Sequence, residues 1–411
     1  MLLIEAPAQA APRWAALRRD IGVTYAVNGL IGFIFAATGP VAVILSVGLR
    51  GGLSESDLAS WIFGAFFLNG LITLVMSWRY RQPLAFFWTI PGTVLVGPAL
   101  EHLSFAQVIG AFFATGVLML LLGISGWVRR AMAAVPMPIV MGMVAGVFLR
   151  FGTDLVRALH QDVPIAAPMV VAFLLLSGWP RLGKRLPPML GALLVGAIAV
   201  VLSARFAPQL DASMVLARPH LHAPAWSLQA MIELVLPLAI TVLVVQNGQG
   251  VAVLKVAGHE APVNAVTLAC GIGSMVSAFV GTVSTCLTGP TNAIIISSGE
   301  QRRHYTGALV VGLLAMAFGL LSPLFTRLML ATPPAFIATL AGLAMLRVLQ
   351  TAFVASFAGR FSLGALVAFL VTVTDLTILN IGAAFWGLVA GVLVSLLLER
   401  TDFAALRGSG G

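Results

Sequence analysis

Charge is the first thing this chain lacks. Only 9% of its 411 residues are Asp, Glu, Lys or Arg, against roughly 25% in a soluble domain. That shortage excludes a water-facing globular surface, and the 60% hydrophobic content points to a polytopic membrane protein. Cysteine is nearly absent as well: Cys270 and Cys286 both fall inside apolar runs and read as free thiols, which excludes a disulfide framework. The six histidines fall in loops or at span ends, so neither an intramembrane proton relay nor a metal cluster is expected, and no cofactor. No nucleotide-binding P-loop occurs, so an ATP-driven pump has no support. The N-terminal stretch MLLIEAPAQAAPRWAALRRD lacks the pattern of a cleavable signal. The net charge of +9 sits at the ends of apolar runs, where it sets orientation rather than meeting nucleic acid.

What the chain has is long apolar runs. A membrane helix needs about 20 apolar residues. Spans are expected near 22–48, 54–78, 84–100, 104–127, 137–160, 163–179 and 187–207. After a polar outer linker at 208–226, seven more follow near 227–256, 261–281, 283–298, 304–330, 334–358, 361–380 and 382–399. Residues 1–21 and 401–411 are then cytoplasmic ends. With the N-terminus inside, sixteen Arg and Lys lie on cytoplasmic segments, including Arg79, Arg81, Arg129, Arg130, Lys184, Arg185, Arg302, Arg303 and Arg407. Only Arg50, Arg205, Arg218 and Arg327 lie outside. One missed span would scramble that positive-inside bias.

Seven spans per half is odd, so the second half enters from the opposite side. Repeated halves would therefore be inverted, an architecture of secondary transporters. TGPVAVILSVG (38–48) echoes GQGVAVLKVAG (248–258), and AGVFLR (145–150) echoes AGLAMLR (341–347); both pair spans seven apart. The expected fold is all-α and polytopic, fourteen transmembrane segments as two inverted seven-span repeats, with spans 3 and 10 each a short strand plus a half-helix.

Those two spans are the odd ones. Residues 86–100 read FFWTIPGTVLVGPAL, and 284–298 read STCLTGPTNAIIISS. Proline suits the first turn of a helix and disrupts its interior, so each span reads as a strand ending near mid-membrane and a half-helix starting at Pro91 or Pro290. Irregular backbone at that depth lines a cavity or is buried in protein. A helix start also presents N–H groups and a positive dipole end to anions. Thr89, Pro91, Gly92 and Thr93, with Thr288, Gly289, Pro290, Thr291 and Asn292, are the candidate binding residues. Two ordinary proline-kinked helices are the plainer alternative.

Span 8 adds VVQNGQG (244–250), where Gln246 and Asn247 either contact a substrate or bond the backbone of the broken spans. Secondary candidates are Tyr25, Asn28 and Thr38 in span 1, and Trp88, with Phe86 and Phe87, as stacking surface. Arg150, Asp154 and Arg157 share a face of span 5 and suggest a local ion pair. Arg347 near the middle of span 12 and Asp375 within span 13 suggest a pair across helices. Asp375 is then a counter-ion or a proton carrier. Glu233, near the outer end of span 8, reads as water-facing and is the second proton-coupling candidate.

The segments GLSESDLASWIFG (52–64), SWRYRQPLAFFWTIPGT (77–93), FAQVIGAFFATG (105–116), MVAGVFLRFGTD (143–154) and LPLAITVLVVQNGQGVAVLKVAGHEAPV (236–263) carry a resemblance. Over nearly the whole chain the sequence resembles the benzoate/proton symporter family of BenE type. The resemblance implies a bacterial inner-membrane importer of aromatic carboxylates, related in fold to nucleobase transporters. It further implies a core of spans 1–4 (22–130) and 8–11 (227–331), and a gate of spans 5–7 (137–207) and 12–14 (334–400). Relatives of this fold often dimerise through the gate. Nucleobase relatives serve the site with a span-8 glutamate; the matching region here holds Gln246-Asn247, which suits an anionic substrate.

The expected function is secondary active transport of a small organic anion, an aromatic carboxylate such as benzoate, with protons, across the lipid bilayer. Alternatives are another anion or a nucleobase carried on the same fold, or an anion channel. An enzyme has little support: GLSES (52–56) is similar to a nucleophile elbow but lacks its final glycine and any matching histidine.

Overall fold

Long apolar runs with few breaks give long helices. Among the described residues of the computed structural model, seven helices are long and apolar enough to cross a membrane: Val23–Arg50, Glu55–Tyr80, Phe105–Ser125, Met137–Gln161, Leu228–Val256, Gln301–Leu320 and Pro334–Phe357. These occupy positions 1, 2, 4, 5, 8, 11 and 12 of the predicted order. Shorter apolar helices Val163–Gly178, Pro188–Leu202, Val263–Ala278, Ser362–Val373 and Ala383–Leu398 occupy positions 6, 7, 9, 13 and 14. The structure describes residues 4–128, 130, 132, 136–183, 186–206, 215–379 and 381–403. Arg129, Lys184, Arg185, Arg407, the linker's first residues (208–214) and most of the tail (404–411) lie outside the described residues.

Segments 3 and 10 are the exceptions to helical order. β1 (Phe86–Trp88) leads into the half-helix Ile90–Ala99, and β2 (Thr285–Leu287) leads into the half-helix Gly289–Ile295. The strands pair antiparallel, Phe86 with Leu287, Phe87 with Cys286 and Trp88 with Thr285. The prolines stand in the first turn of each half-helix, where a missing N–H costs nothing.

A two-stranded ribbon has two bare edges, and bare backbone in an apolar interior costs several kcal/mol per group. Side chains close both edges. Thr73 in segment 2 accepts from the Phe86 N–H (2.8 Å) and donates to its carbonyl (3.2 Å), and Ser77 does the same for Leu84 (3.1 Å each). In segment 9, Ser274 accepts from the Thr285 N–H at 2.9 Å. The pattern therefore repeats from one half to the other: segment 2 clasps β1 as segment 9 clasps β2.

Helix packing has the same regularity. Segment 4 packs on 9, segment 11 on 2, and segment 5 on 12. Exchanging each segment with the one seven places away maps these pairs onto themselves. Close approach at the centre uses Gly39 in segment 1, where a Cβ would lie 2.5 Å from the Ala344 Cβ. Among the described residues three stretches widen into π-helix: Gly64–Leu68 in segment 2, and Met231–Val235 and Thr241–Asn247 in segment 8. Wide turns free carbonyls, and Asn69 takes up those of Gly64 (3.4 Å) and Ala65 (3.1 Å).

Candidate functional site

The ribbon sets the geometry. Because β1 and β2 run antiparallel, the two half-helices start at opposite ends of it and face each other. Thr288 lies opposite Ala85, to whose carbonyl its N–H donates (3.1 Å), so the starts are four residues apart. At about 3.3 Å per residue that is roughly 13 Å along the ribbon. Two helix dipoles, each equivalent to about half a positive charge, converge on this gap. Among the described residues no acidic side chain bonds to either start.

The two starts are not equal. At the first, Thr89 caps its own helix, accepting from the Gly92 N–H at 3.1 Å, and meets the Thr241 hydroxyl of segment 8 at 3.3 Å. The Thr93 N–H (2.9 Å) and hydroxyl (3.0 Å) both go to the Thr89 carbonyl. Pro91 has no N–H. The amides of this start are mostly committed, and Thr89, Pro91, Gly92 and Thr93 are buried. At the second start Thr288 provides no side-chain cap. Thr291 is buried, its methyl 3.2 Å from where a Cβ on Gly32 of segment 1 would stand. Pro290 is half-buried and Ala293 and Ser297 are exposed, so one face of this half-helix lies open.

Segment 8 serves both starts. Asn247 accepts from the Leu287 N–H of β2 at 2.7 Å, which makes it a strand clamp. Asn292 accepts from the Ala85 N–H (3.0 Å) and donates to the carbonyls of Ala85 (3.3 Å) and Thr288 (2.7 Å). Of the two readings for these amides, backbone support is what the geometry gives both. Gln246, also buried, makes no hydrogen bond among the described residues. Gln249 was absent from the sequence candidates although it belongs to the same VVQNGQG run. It is exposed, with its Cδ 2.6 Å from the place of a Cβ on Gly289. Gln246 and Gln249 are three residues apart and so neighbours on one helix face.

Segment 12 carries an exposed cation. Arg347 is exposed midway along Pro334–Phe357, and its one side-chain partner among the described residues is Gln350 at 3.0 Å. Ala344, one turn earlier on that face, meets Gly39 of segment 1. The expected pairing of Arg347 with Asp375 does not form.

Asp375 is not inside a helix. Segment 13 ends at Val373, and Asp375 sits in the following turn with φ 55°, bonded to Arg150 at 3.1 Å. Glu233 departs from expectation in the other direction: it is 5% exposed and bonded to His102 at 2.9 Å. Both acids line a cavity of about 390 Å³ between segments 1, 3, 5, 8, 13 and 14, at the predicted outer end. Ion pairs cross that end, Arg50 to Asp154 (3.0 Å) and Arg150 to Glu101 (3.6 Å). Within segment 5 the local pair is Asp154 with Arg157 (3.1 Å); Arg150 turns away to Asp375 and Glu101.

The remaining candidates lie elsewhere or are occupied. Tyr25 accepts from the Glu300 N–H (2.8 Å) with the Arg303 guanidinium over its ring, at the predicted inner end. Asn28 donates to the Ile295 carbonyl (3.3 Å) and the Ser298 hydroxyl (3.0 Å), holding the far end of the second half-helix. The Thr38 hydroxyl returns to its own helix at Ile34 (2.9 Å). Trp88 is buried against Phe66 (5.1 Å), its Nε1 without a hydrogen-bond partner among the described residues. Cys270 and Cys286 are free and buried.

Comparison with known proteins agrees with this architecture. The protein is similar over 384 residues to the inner membrane protein YdcO of Escherichia coli K12, at 28% identity, covering 91% of this chain and 97% of that one. It is 25% identical over 391 residues to the benzoate membrane transport protein of Acinetobacter baylyi, covering 93% and 97%. Among solved structures, the transmembrane domain of the cyanobacterial bicarbonate transporter BicA matches with TM-score 0.61 at 18% identity, covering 90% of this chain and 98% of that domain. SLC26A9 matches with TM-score 0.63 at 14% identity, covering 93% and 67%. The fold is thus SLC26-like, and the chain is a multi-pass membrane protein and a transporter rather than an enzyme. Residues 19–397 match the family model for the benzoate membrane transport protein, and the protein belongs to that BenE family.

Proposed function

We propose that this protein imports a small aromatic carboxylate such as benzoate, together with a proton, across the bacterial inner membrane by alternating access. The observation that carries the reading is the pair of facing half-helix starts. In a low-charge interior they concentrate positive potential on one gap without supplying an acid to oppose it. The carboxylate is held at the second, uncapped start, with Gln246 and Gln249 as amide donors and Arg347 as the cationic complement. The aromatic ring packs against the apolar ribbon.

The self-mapping packing supports two inverted seven-segment repeats. In this reading segments 1–4 and 8–11 are the core, and 5–7 and 12–14 the gate. Core and gate are then joined at the outer end by Arg50–Asp154 and Arg150–Glu101, and half-helix Ile90–Ala99 packs on segment 5. The open face of the second half-helix and the exposed Gln249 and Arg347 give the inward-facing side its path.

For the proton, Glu233 is the better carrier. Asp375 is paired with an arginine, which cannot pass a proton on. Glu233 is bonded to an imidazole, which can. Glu233→Gln is expected to abolish the dependence of uptake on the pH gradient, whereas Asp375→Asn retains it; the reverse pattern would move the role to Asp375.

The test of the whole reading is uptake of labelled benzoate into proteoliposomes under an inward proton gradient, with a protonophore control. Benzoic acid crosses lipid unaided, so empty liposomes run beside them. Accumulation that needs both protein and gradient is expected. No uptake by folded protein would redirect the assignment to other carboxylates, nucleobases or inorganic anions.

A further inference from the structure

The histidines, set aside on sequence grounds, do not all stand alone. We propose that Asp57, His220 and His222 form a binding site for a divalent transition metal, Zn²⁺ in the first instance, on the predicted outer face. The site joins the linker between the two halves to the start of segment 2.

Asp57 Oδ1, His220 Nδ1 and His222 Nε2 all lie within 4.8 Å of one another. Asp57 Oδ1 is 2.9 Å from His220 Nδ1 and 3.3 Å from His222 Nε2. Tetrahedral zinc with bonds of about 2.0–2.1 Å separates its ligand atoms by about 3.3 Å. The trio therefore needs only a modest adjustment to close on an ion. Two imidazoles and a carboxylate are ligands of the intermediate softness that zinc prefers.

The surroundings hold these ligands in place. The second carboxylate oxygen of Asp57 accepts from the Ser54 N–H (3.3 Å) and hydroxyl (2.7 Å), which leaves Oδ1 turned to the imidazoles. The His222 ring stands edge-on to Phe105 at 5.0 Å, and the backbone N–H of His222 donates to the Phe279 carbonyl (2.8 Å). His220 donates its N–H to Ser60 Oγ at 3.0 Å.

One ligand atom of the cluster is left without a hydrogen bond. His222 Nε2 is buried and, among the described residues, faces only Asp57 Oδ1 at 3.3 Å, with no hydrogen bond formed. The His220 ring is 59% exposed, which gives the ion an entry path and leaves a coordination position for water.

The test uses the whole protein in detergent, with any polyhistidine tag removed and metals stripped by chelator. Equilibrium dialysis against Zn²⁺ is expected to give one equivalent bound per chain, and Co²⁺ to give a tetrahedral visible spectrum. His222→Gln, which preserves bulk, is expected to lose the spectrum. Ser54→Ala keeps the three ligands and is expected to bind about 10–100-fold more weakly. Melting temperatures in the absence of metal establish that each variant is folded. The proposal is overturned if the wild type binds no Zn²⁺ at about 100 µM, far above the dissociation constants of zinc sites that contribute to folding. It is equally overturned if a folded His220→Gln/His222→Gln double variant binds as the wild type does.

Discussion

The two half-helix starts are built to one plan and finished differently. The first is capped by Thr89, buried and pressed against segments 5 and 8. The second has no side-chain cap and an open face, with the exposed Gln249 side chain against Gly289. A capped start is a structural joint, whereas an uncapped one keeps unspent donors. The comparison teaches that a symmetric scaffold can place a ligand asymmetrically, by satisfying one end internally and leaving the other for the cargo.

The largest expected effect separates scaffold from site. Asn292→Ala leaves the buried N–H of Ala85 unpaired and removes a donor from two carbonyls, at about 1–3 kcal/mol for each orphaned group. Loss of monodisperse protein, or a clearly lowered melting temperature in detergent, is expected. A stable Asn292→Ala that fails only in transport would instead put Asn292 in contact with substrate.

Next come Gln249→Ala and Arg347→Ala. A hydrogen bond to a charged group contributes about 1.5–3 kcal/mol, so apparent affinity for benzoate should fall at least about tenfold with an unchanged melting temperature. Thr93→Val, at the committed start, should change affinity little. If Thr93→Val does the greater damage, the asymmetry runs the other way.

The smallest effect is at the outer ion pairs, which are partly exposed; such pairs contribute about 0–1 kcal/mol. Arg50→Ala should shift the conformational balance outward only a few-fold, read as faster alkylation of a cysteine placed at Val94 in the 390 Å³ cavity. Slower alkylation would mean that these charges hold the outer side open.

Much of this was legible in the sequence, and the exceptions have physical causes. Pro91-Gly92 and Gly289-Pro290 in apolar runs marked both breaks, because backbone chemistry is local. The partners of the buried amides were not legible: Asn292 meets Ala85 across 207 residues and Asn247 meets Leu287 across 40. Glu233 looked water-facing because nothing near it in sequence announces His102, 131 residues away. Asp375 looked intramembrane because apolar sequence continues past it, while the helix stops at Val373 and the chain turns with a positive φ. Gln249 was visible in the run and passed over, since exposure at that depth is a property of the assembled fold.

The ribbon has a consequence for how the protein is made. β1 belongs to the first half and β2 to the second, so neither half carries a complete hydrogen-bonded centre. Roughly 200 residues separate Phe86 from Thr285, and at about 5–20 residues per second a ribosome takes about 10–40 s to deliver the missing strand. Thr73 and Ser77, which serve the opposite edge of β1, are already in the membrane by then. They act in effect as a holding fixture, keeping one edge of a nascent strand satisfied while the other waits for its mate.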